Sequence, residues 1–123
     1  DNDKLSALVA SITEADLLIL LSDIDGLYTD DPNKNPDAKF INVVDKIDEQ
    51  LMHMGKNSSG SSVGTGGMSA KLVAAQIATY SGTDMVITNG NDVTNISRII
   101  NGENTGTLFL QHEYNDFNIL ELI

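Results

Sequence analysis

The sequence predicts an α/β fold, a three-layer αβα sandwich on a mainly parallel sheet, and three observations carry that reading. The run Leu17 to Leu21 is apolar at every position, as in a parallel strand covered on both faces rather than a strand with one wet side. Apolar residues at helical spacing recur before and after short apolar runs of strand length. The resulting order, αβ, α, αβ, αβ, is that of a parallel sheet with helices on its faces.

The elements follow in turn. Leu5, Leu8, Val9 and Ile12 fall on one helical stripe, with Asp1, Asn2 and Asp3 placed to cap its start. The strand Leu17 to Leu21 stops at Ser22-Asp23, Asp25-Gly26 marks a turn, and Asp30-Asp31-Pro32-Asn33 with Pro36 marks a loop. Val44, Ile47, Leu51 and Met54 repeat at helical spacing and predict a second helix. Residues 55 to 67 hold five glycines and four serines, the composition of a flexible linker. Val73, Ile77 and Tyr80, among Ala74, Ala75 and Ala78, predict a third helix ending at Gly82 as a left-handed cap. Met85 to Thr88 is a strand closed by Asn89-Gly90. Val93, Ile96, Ile99 and Ile100 form a helix stopped by Gly102, and Thr105 to Leu110 is a last strand. The first helix has no strand before it to complete a right-handed βαβ unit, so either the sheet starts unusually or more chain belongs upstream.

Composition narrows the function classes. The 123 residues suffice for one domain with a real core. Seven Lys and Arg stand against eighteen Asp and Glu, a net charge of −11, which argues against binding nucleic acid or an anionic membrane through bulk charge. Five consecutive apolar residues fall far short of the roughly 20 that span a bilayer. The absence of cysteine excludes disulfides and thiolate metal sites and fits a cytoplasmic protein.

Any polyanion must therefore be held locally, and one segment suits it. Gly64-Thr65-Gly66-Gly67-Met68-Ser69-Ala70-Lys71 is a glycine-dense loop entering a helix. Its glycines let backbone amides approach an anion at the helix start, and Lys71 adds a mobile charge. The spacing is neither that of a P-loop nor that of a Rossmann fingerprint, and by itself it fits a capped loop equally well. A lysine in the first helical turn opposes the peptide dipoles, which favours a functional role. In parallel sheets ligands sit beyond the carboxyl ends of strands. Three polar clusters map there: Asp1-Asn2-Asp3, Ser22-Asp23, and Thr65 to Lys71. Asp3 also suits a plain N-cap and Ser22-Asp23 a strand-ending turn. His53 and His112 read as surface residues, and Met52, Met54 and Met68 as packing residues. Asp23-x-Asp25-Gly26 lacks the later ligands of a calcium loop.

Asp1-Asn2-Asp3-x-Leu5-Ser6-Ala7, Leu20 to Thr29, Asp31-Pro32, Gly64 to Met68 with Lys71, and Gly106-Thr107-Leu108-Phe109 together resemble the amino acid kinase family, and within it the glutamate 5-kinases. The resemblance implies that residues 1–110 form the C-terminal, ATP-binding half of an amino acid kinase domain and 111–123 a tail. The N-terminal half, with a second catalytic lysine, would lie outside these residues, and the form would be the short one without a PUA domain. The implied activity is ATP-dependent phosphorylation of the L-glutamate side-chain carboxylate, the first step of proline biosynthesis, with Mg²⁺ and a cytoplasmic, homo-oligomeric enzyme. The amides of Thr65, Gly66, Gly67, Met68, Ser69 and Ala70, with Lys71, would lie along the ATP phosphates, and Ser22 and Asp23 would contact the nucleotide. Asn2 would contact glutamate, and Asp3 would orient the catalytic lysines. Kinases of acetylglutamate, aspartate or UMP are the nearest alternatives, followed by a non-catalytic nucleotide-binding module. The isolated chain is expected to be inactive.

Overall fold

The structure, a computed structural model, describes residues 2–57 and 67–112. In chain order its elements are α1 (Asn2–Ile12), β1 (Leu17–Ser22), β2 (Leu27–Tyr28), β3 (Phe40–Ile41) and β4 (Val43–Val44). They continue with α2 (Glu49–Asn57), α3 (Met68–Tyr80), β5 (Asp84–Asn89), α4 (Thr94–Ile100) and β6 (Thr107–Phe109). A four-stranded sheet runs in the order β1-β5-β6-β4, while β2 and β3 form a separate antiparallel pair. β1 lies parallel to β5 and β4 parallel to β6, with β6 reversed against β5, so the sheet is mainly parallel.

Strand alternation sorts side chains onto two faces. On one, Leu20, Met85, Ile87, Phe109 and Val44 meet α3, whose Leu72, Ala74, Ala75, Ile77 and Ala78 are buried, together with Ala7 of α1. Burying side chains the size of Phe109 or Ile87 stabilises the fold by roughly 1.5–3 kcal/mol each. On the other face, Val86 and Leu108 share with Ile99 of α4 a groove of about 430 Å³. Helices thus flank the sheet on both sides.

Three helices stop in the same way. After α3 the chain turns at Gly82 (φ 90°), with Thr83 N–H donating to Ala78 O at 2.9 Å and Gly82 N–H to Thr79 O at 3.2 Å. After α4 Gly102 (φ 83°) serves, with Glu103 N–H on Arg98 O at 2.9 Å and Gly102 N–H on Ile99 O at 3.0 Å. Both glycines stand where the sequence places them. After α1 the left-handed residue is Glu14 (φ 56°), with Ala15 N–H on Ala10 O at 2.9 Å and Glu14 N–H on Ser11 O at 3.2 Å. All three have the Schellman pattern.

Two local expectations are corrected. Val44 lies in β4 beside Phe109, and Ile47 lies between β4 and α2, so helix begins only at Glu49. Both side chains are buried, and an i, i+3 spacing of buried residues does not by itself distinguish a helix from a strand followed by a bend. In α1, Leu5, Val9 and Ile12 of the stripe face outward, 59%, 52% and 79% exposed, whereas Leu8 packs against the core and Ala7 and Ala10 are buried. α1 packs chiefly on α3, whose contact face is rich in alanine, so a close helix pair forms through small residues and turns the larger ones away.

Candidate functional site

Short connections decide where the helix starts lie. Residues 13–16 join α1 to β1, and residues 81–83 join α3 to β5, so each helix folds back against the strand it precedes. The amino ends of α1 and α3 therefore come to the carboxyl ends of β1 and β5. Asp3, Lys71, Ser22 and Asn89 all belong to that end of the sheet.

Lys71 and Asp3 meet there, with Lys71 Nζ 3.1 Å from Asp3 Oδ2 and side chains only 13% and 21% exposed. Sixty-eight positions separate the two in sequence. Asp3 sits in the first turn of α1, where a carboxylate complements the peptide dipoles. Lys71 sits in the first turn of α3, where a cation does not, and no acidic residue shares that turn. The ion pair supplies the compensation from another element.

Gly67 is the N-cap of α3, extended at φ −61° and ψ −179°, with no side-chain cap bond. Ala70 N–H and Lys71 N–H both donate to Gly67 O, at 3.0 and 3.3 Å. The first amides of a helix, here those of Met68 and Ser69, have no acceptor within it and are the groups an anion would satisfy. α2 closes against this turn: Gly55 is buried, and a Cβ there would stand 2.5 Å from Leu72 Cδ1. Thr65 and Gly66 lie outside the described residues.

The Ser22–Asp23 corner is held by its neighbours. Gly90 N–H donates to Ser22 O at 2.7 Å, Ile24 N–H to Ser22 Oγ at 3.3 Å, and Ser22 Oγ to Asp23 Oδ1 at 3.3 Å. Asn89 Nδ2 donates to Asp25 Oδ1 at 3.0 Å, tying the following turn to the end of β5. Asn2 opens α1 and is exposed. Sequence reasoning gives Asn89 and Gly90 only a strand-closing part, because their bonds to the corner cross more than sixty positions.

Near the same end, the Thr94 hydroxyl, then its amide, then Arg98 hold the Asp92 carboxyl below its ordinary value of 3.8. Arg98 reaches Asp92 Oδ2 at 3.1 Å and Asn95 Oδ1 at 2.7 Å, so the single arginine is engaged within the start of α4. His112 is half-buried with its ring 6.1 Å from that of Tyr80, so only His53 is the exposed residue expected of both. Met52, Met54 and Met68 pack against the core, as expected.

Among the described residues no three His, Asp or Glu side chains converge to hold a metal ion. Mg²⁺ commonly keeps several waters and is held through substrate phosphates with one or two carboxylates, a mode that needs no such cluster. Among the described residues no helix is long and apolar enough to cross a membrane.

Residues 1–89 match the amino acid kinase family. The chain is 53% identical to a glutamate 5-kinase of Carboxydothermus hydrogenoformans over 109 residues, covering 89% of this chain and 29% of that protein. It is 52% identical to one of Clostridium acetobutylicum over 110 residues, covering 89% and 41%. The chain thus spans between 29% and 41% of these relatives. Among solved structures it is similar to a carbamate kinase from Giardia lamblia bound to AMP-PNP, with TM-score 0.68, 21% identity and coverage of 91% of this chain and 32% of that one. It is also similar to uridylate kinase from Archaeoglobus fulgidus, with TM-score 0.64, 25% identity and coverage of 87% and 45%.

Proposed function

The chain belongs to the amino acid kinase family, and from that premise we propose that it supplies the ATP-binding half of an enzyme that phosphorylates the side-chain carboxylate of L-glutamate. The observation that carries the reading is the Lys71–Asp3 pair at the start of α3. A lysine placed against its own helix dipole and steadied by an aspartate from another element is arranged for an external anion rather than for helix stability. The glutamate 5-kinase relatives, about half identical over nearly nine-tenths of this chain, support the choice of acceptor.

The chemistry suits these residue types. The acceptor carboxylate has a reference pKa of about 4.3 and is ionised at pH 7, so attack on the γ-phosphorus needs no general base. Its oxygen bonds to phosphorus, the bond to the β,γ-bridging oxygen breaks, and ADP leaves from an acyl phosphate. What must be overcome is repulsion between two anions. The amides of Gly67, Met68 and Ser69 with Lys71 would hold the phosphates, joined by Thr65 and Gly66, while the Ala70 amide, which donates to Gly67 O, would lie alongside them. Bound Mg²⁺ would neutralise charge on the phosphate oxygens. Ser22 and Asp23 would contact the nucleotide, Asn2 the glutamate, and Asp3 would aim Lys71 without taking a proton.

The outward stripe Leu5, Val9 and Ile12 and the edge position of β1, where Leu17 and Leu21 are also exposed, support a half-domain that packs against further chain. The test is an acceptor panel on a complete enzyme carrying this segment, with hydroxamate trapping and ADP release for L-glutamate, acetylglutamate, aspartate and UMP. Glutamate-dependent turnover is expected. At an effective dielectric near 20, one charge at 4 Å contributes about 4 kcal/mol, so Lys71→Met should slow turnover by about two to three powers of ten. Phosphorylation of UMP in place of glutamate would reassign the acceptor. ATP binding with transfer to none of the four would make the chain a nucleotide-binding module. The 123-residue chain alone is expected to release no ADP in response to glutamate, and measurable release would overturn the half-domain reading.

A further inference from the structure

Thr107 is wholly buried, yet its hydroxyl makes two hydrogen bonds that leave its own sheet. Leu27 N–H donates to Thr107 Oγ1 at 2.8 Å, and Thr107 Oγ1 donates to Ile41 O at 2.6 Å. Leu27 belongs to β2, Ile41 to β3 and Thr107 to β6, and the two sheets share no ladder. One hydroxyl, used as both donor and acceptor, therefore fastens both strands of the small sheet to the large one.

The geometry around it is close-fitting. A Cβ on Gly26 would lie 2.6 Å from Thr107 Oγ1 and 2.7 Å from Phe40 Cζ, so the backbone passes directly over the hydroxyl. A Cβ on Gly106 would lie 2.2 Å from Ile87 O, so β6 approaches β5 at a point only glycine allows. Gly106 sets the depth of Thr107, and Thr107 sets the position of residues 26 and 27.

Those residues end the segment that begins at Ser22 and Asp23. β5 holds its near side, through Gly90 on Ser22 O and Asn89 on Asp25, and Thr107 holds its far side. We infer that Thr107 is a positioning residue that fixes the Ser22–Asp25 corner for nucleotide, an inference that rests on the ATP-site reading above. Replacing the hydroxyl by a methyl would strand a buried N–H and a part-buried carbonyl at once, and the corner would lose its far anchor.

The experiment compares a complete enzyme carrying this segment with its Thr107→Val, Thr107→Ser and Gly26→Ala variants, by amide hydrogen exchange without nucleotide and by calorimetric titration with MgATP. In Thr107→Val, exchange at residues 24–28 should quicken about tenfold or more relative to amides of α3 and β5, and MgATP should bind about tenfold more weakly. Thr107→Ser keeps the hydroxyl and should stay within about twofold of the parent in both. Gly26→Ala pushes the corner off the hydroxyl from the other side and should repeat the exchange result, which covers the case of a Thr107→Val chain that does not fold. Unchanged exchange at 24–28 in both disrupting variants would overturn the inference. So would a Thr107→Ser chain that behaves like Thr107→Val, which would assign the effect to methyl packing. Exchange decides the positioning role independently of affinity: a parent chain that shows the exchange pattern but binds no MgATP would sink the ATP-site reading and leave the anchor standing.

Discussion

Lys71 and Asp3 are partners with unequal needs. Asp3, in the first turn of α1, is favoured by its own helix whether or not Lys71 is present. Lys71, in the first turn of α3 and 13% exposed, is opposed by its helix and is compensated by Asp3. Single substitutions should therefore be asymmetric. Asp3→Ala should cost about 1–2 kcal/mol of stability, between the values for exposed and buried ion pairs. Lys71→Met should stay within about 0.5 kcal/mol of the parent, because it removes an unfavourable charge while keeping the packing stem. Urea unfolding of both variants checks this, and equal losses would show an ordinary structural ion pair. The order of strands and helices puts both residues in polar clusters at the carboxyl ends of the strands, but as individual side chains they read as a capping aspartate and an oddly placed lysine. The family resemblance, rather than spacing, joined them.

At the scale of elements, residues with local causes were legible and residues with tertiary causes were not. Gly82 and Gly102 end α3 and α4 because the left-handed cap is a property of a few neighbouring residues, visible in the chain itself. The face of α1 was misjudged because the alanines of α3 chose the contact, and nothing in residues 2–12 encodes them. β2, β3 and β4 are two residues long each, too short for any periodicity, and Val44 and Ile47 borrowed the appearance of a helix from their burial. The α1 terminus offers a prediction of its own. Glu14 occupies the left-handed position that Gly fills in the other two helices, so Glu14→Gly should raise stability by about 1 kcal/mol. Thermal unfolding decides it, and a lower midpoint would mean the Glu14 side chain contributes more than its backbone strain costs.

Over the whole molecule, one end of one sheet gathers every described residue of the candidate site, while its opposite face and outer edge leave apolar groups in view. Ile19, Val86, Leu108 and Val43 form a single row across the four strands on the face where Val86 and Leu108 share a groove with Ile99 of α4. Val43 is 47% exposed, and Leu17 and Leu21 stand open on the edge strand. The chain spans 29% to 41% of its relatives, and these exposed side chains are ones that further chain could cover. With a net charge of −11, the chain offers a polyanion no general electrostatic attraction, so an anion would have to be held by local amides and a lysine. The central claim is that the start of α3 holds ATP phosphates through Lys71. Calorimetric titration with MgATP of a complete enzyme carrying this segment, beside its Lys71→Met variant, tests it most directly. One saturable site in the parent, weakened about tenfold or more in the variant, is the expected result. Equal affinity in the two chains, or no binding in the parent, would contradict it.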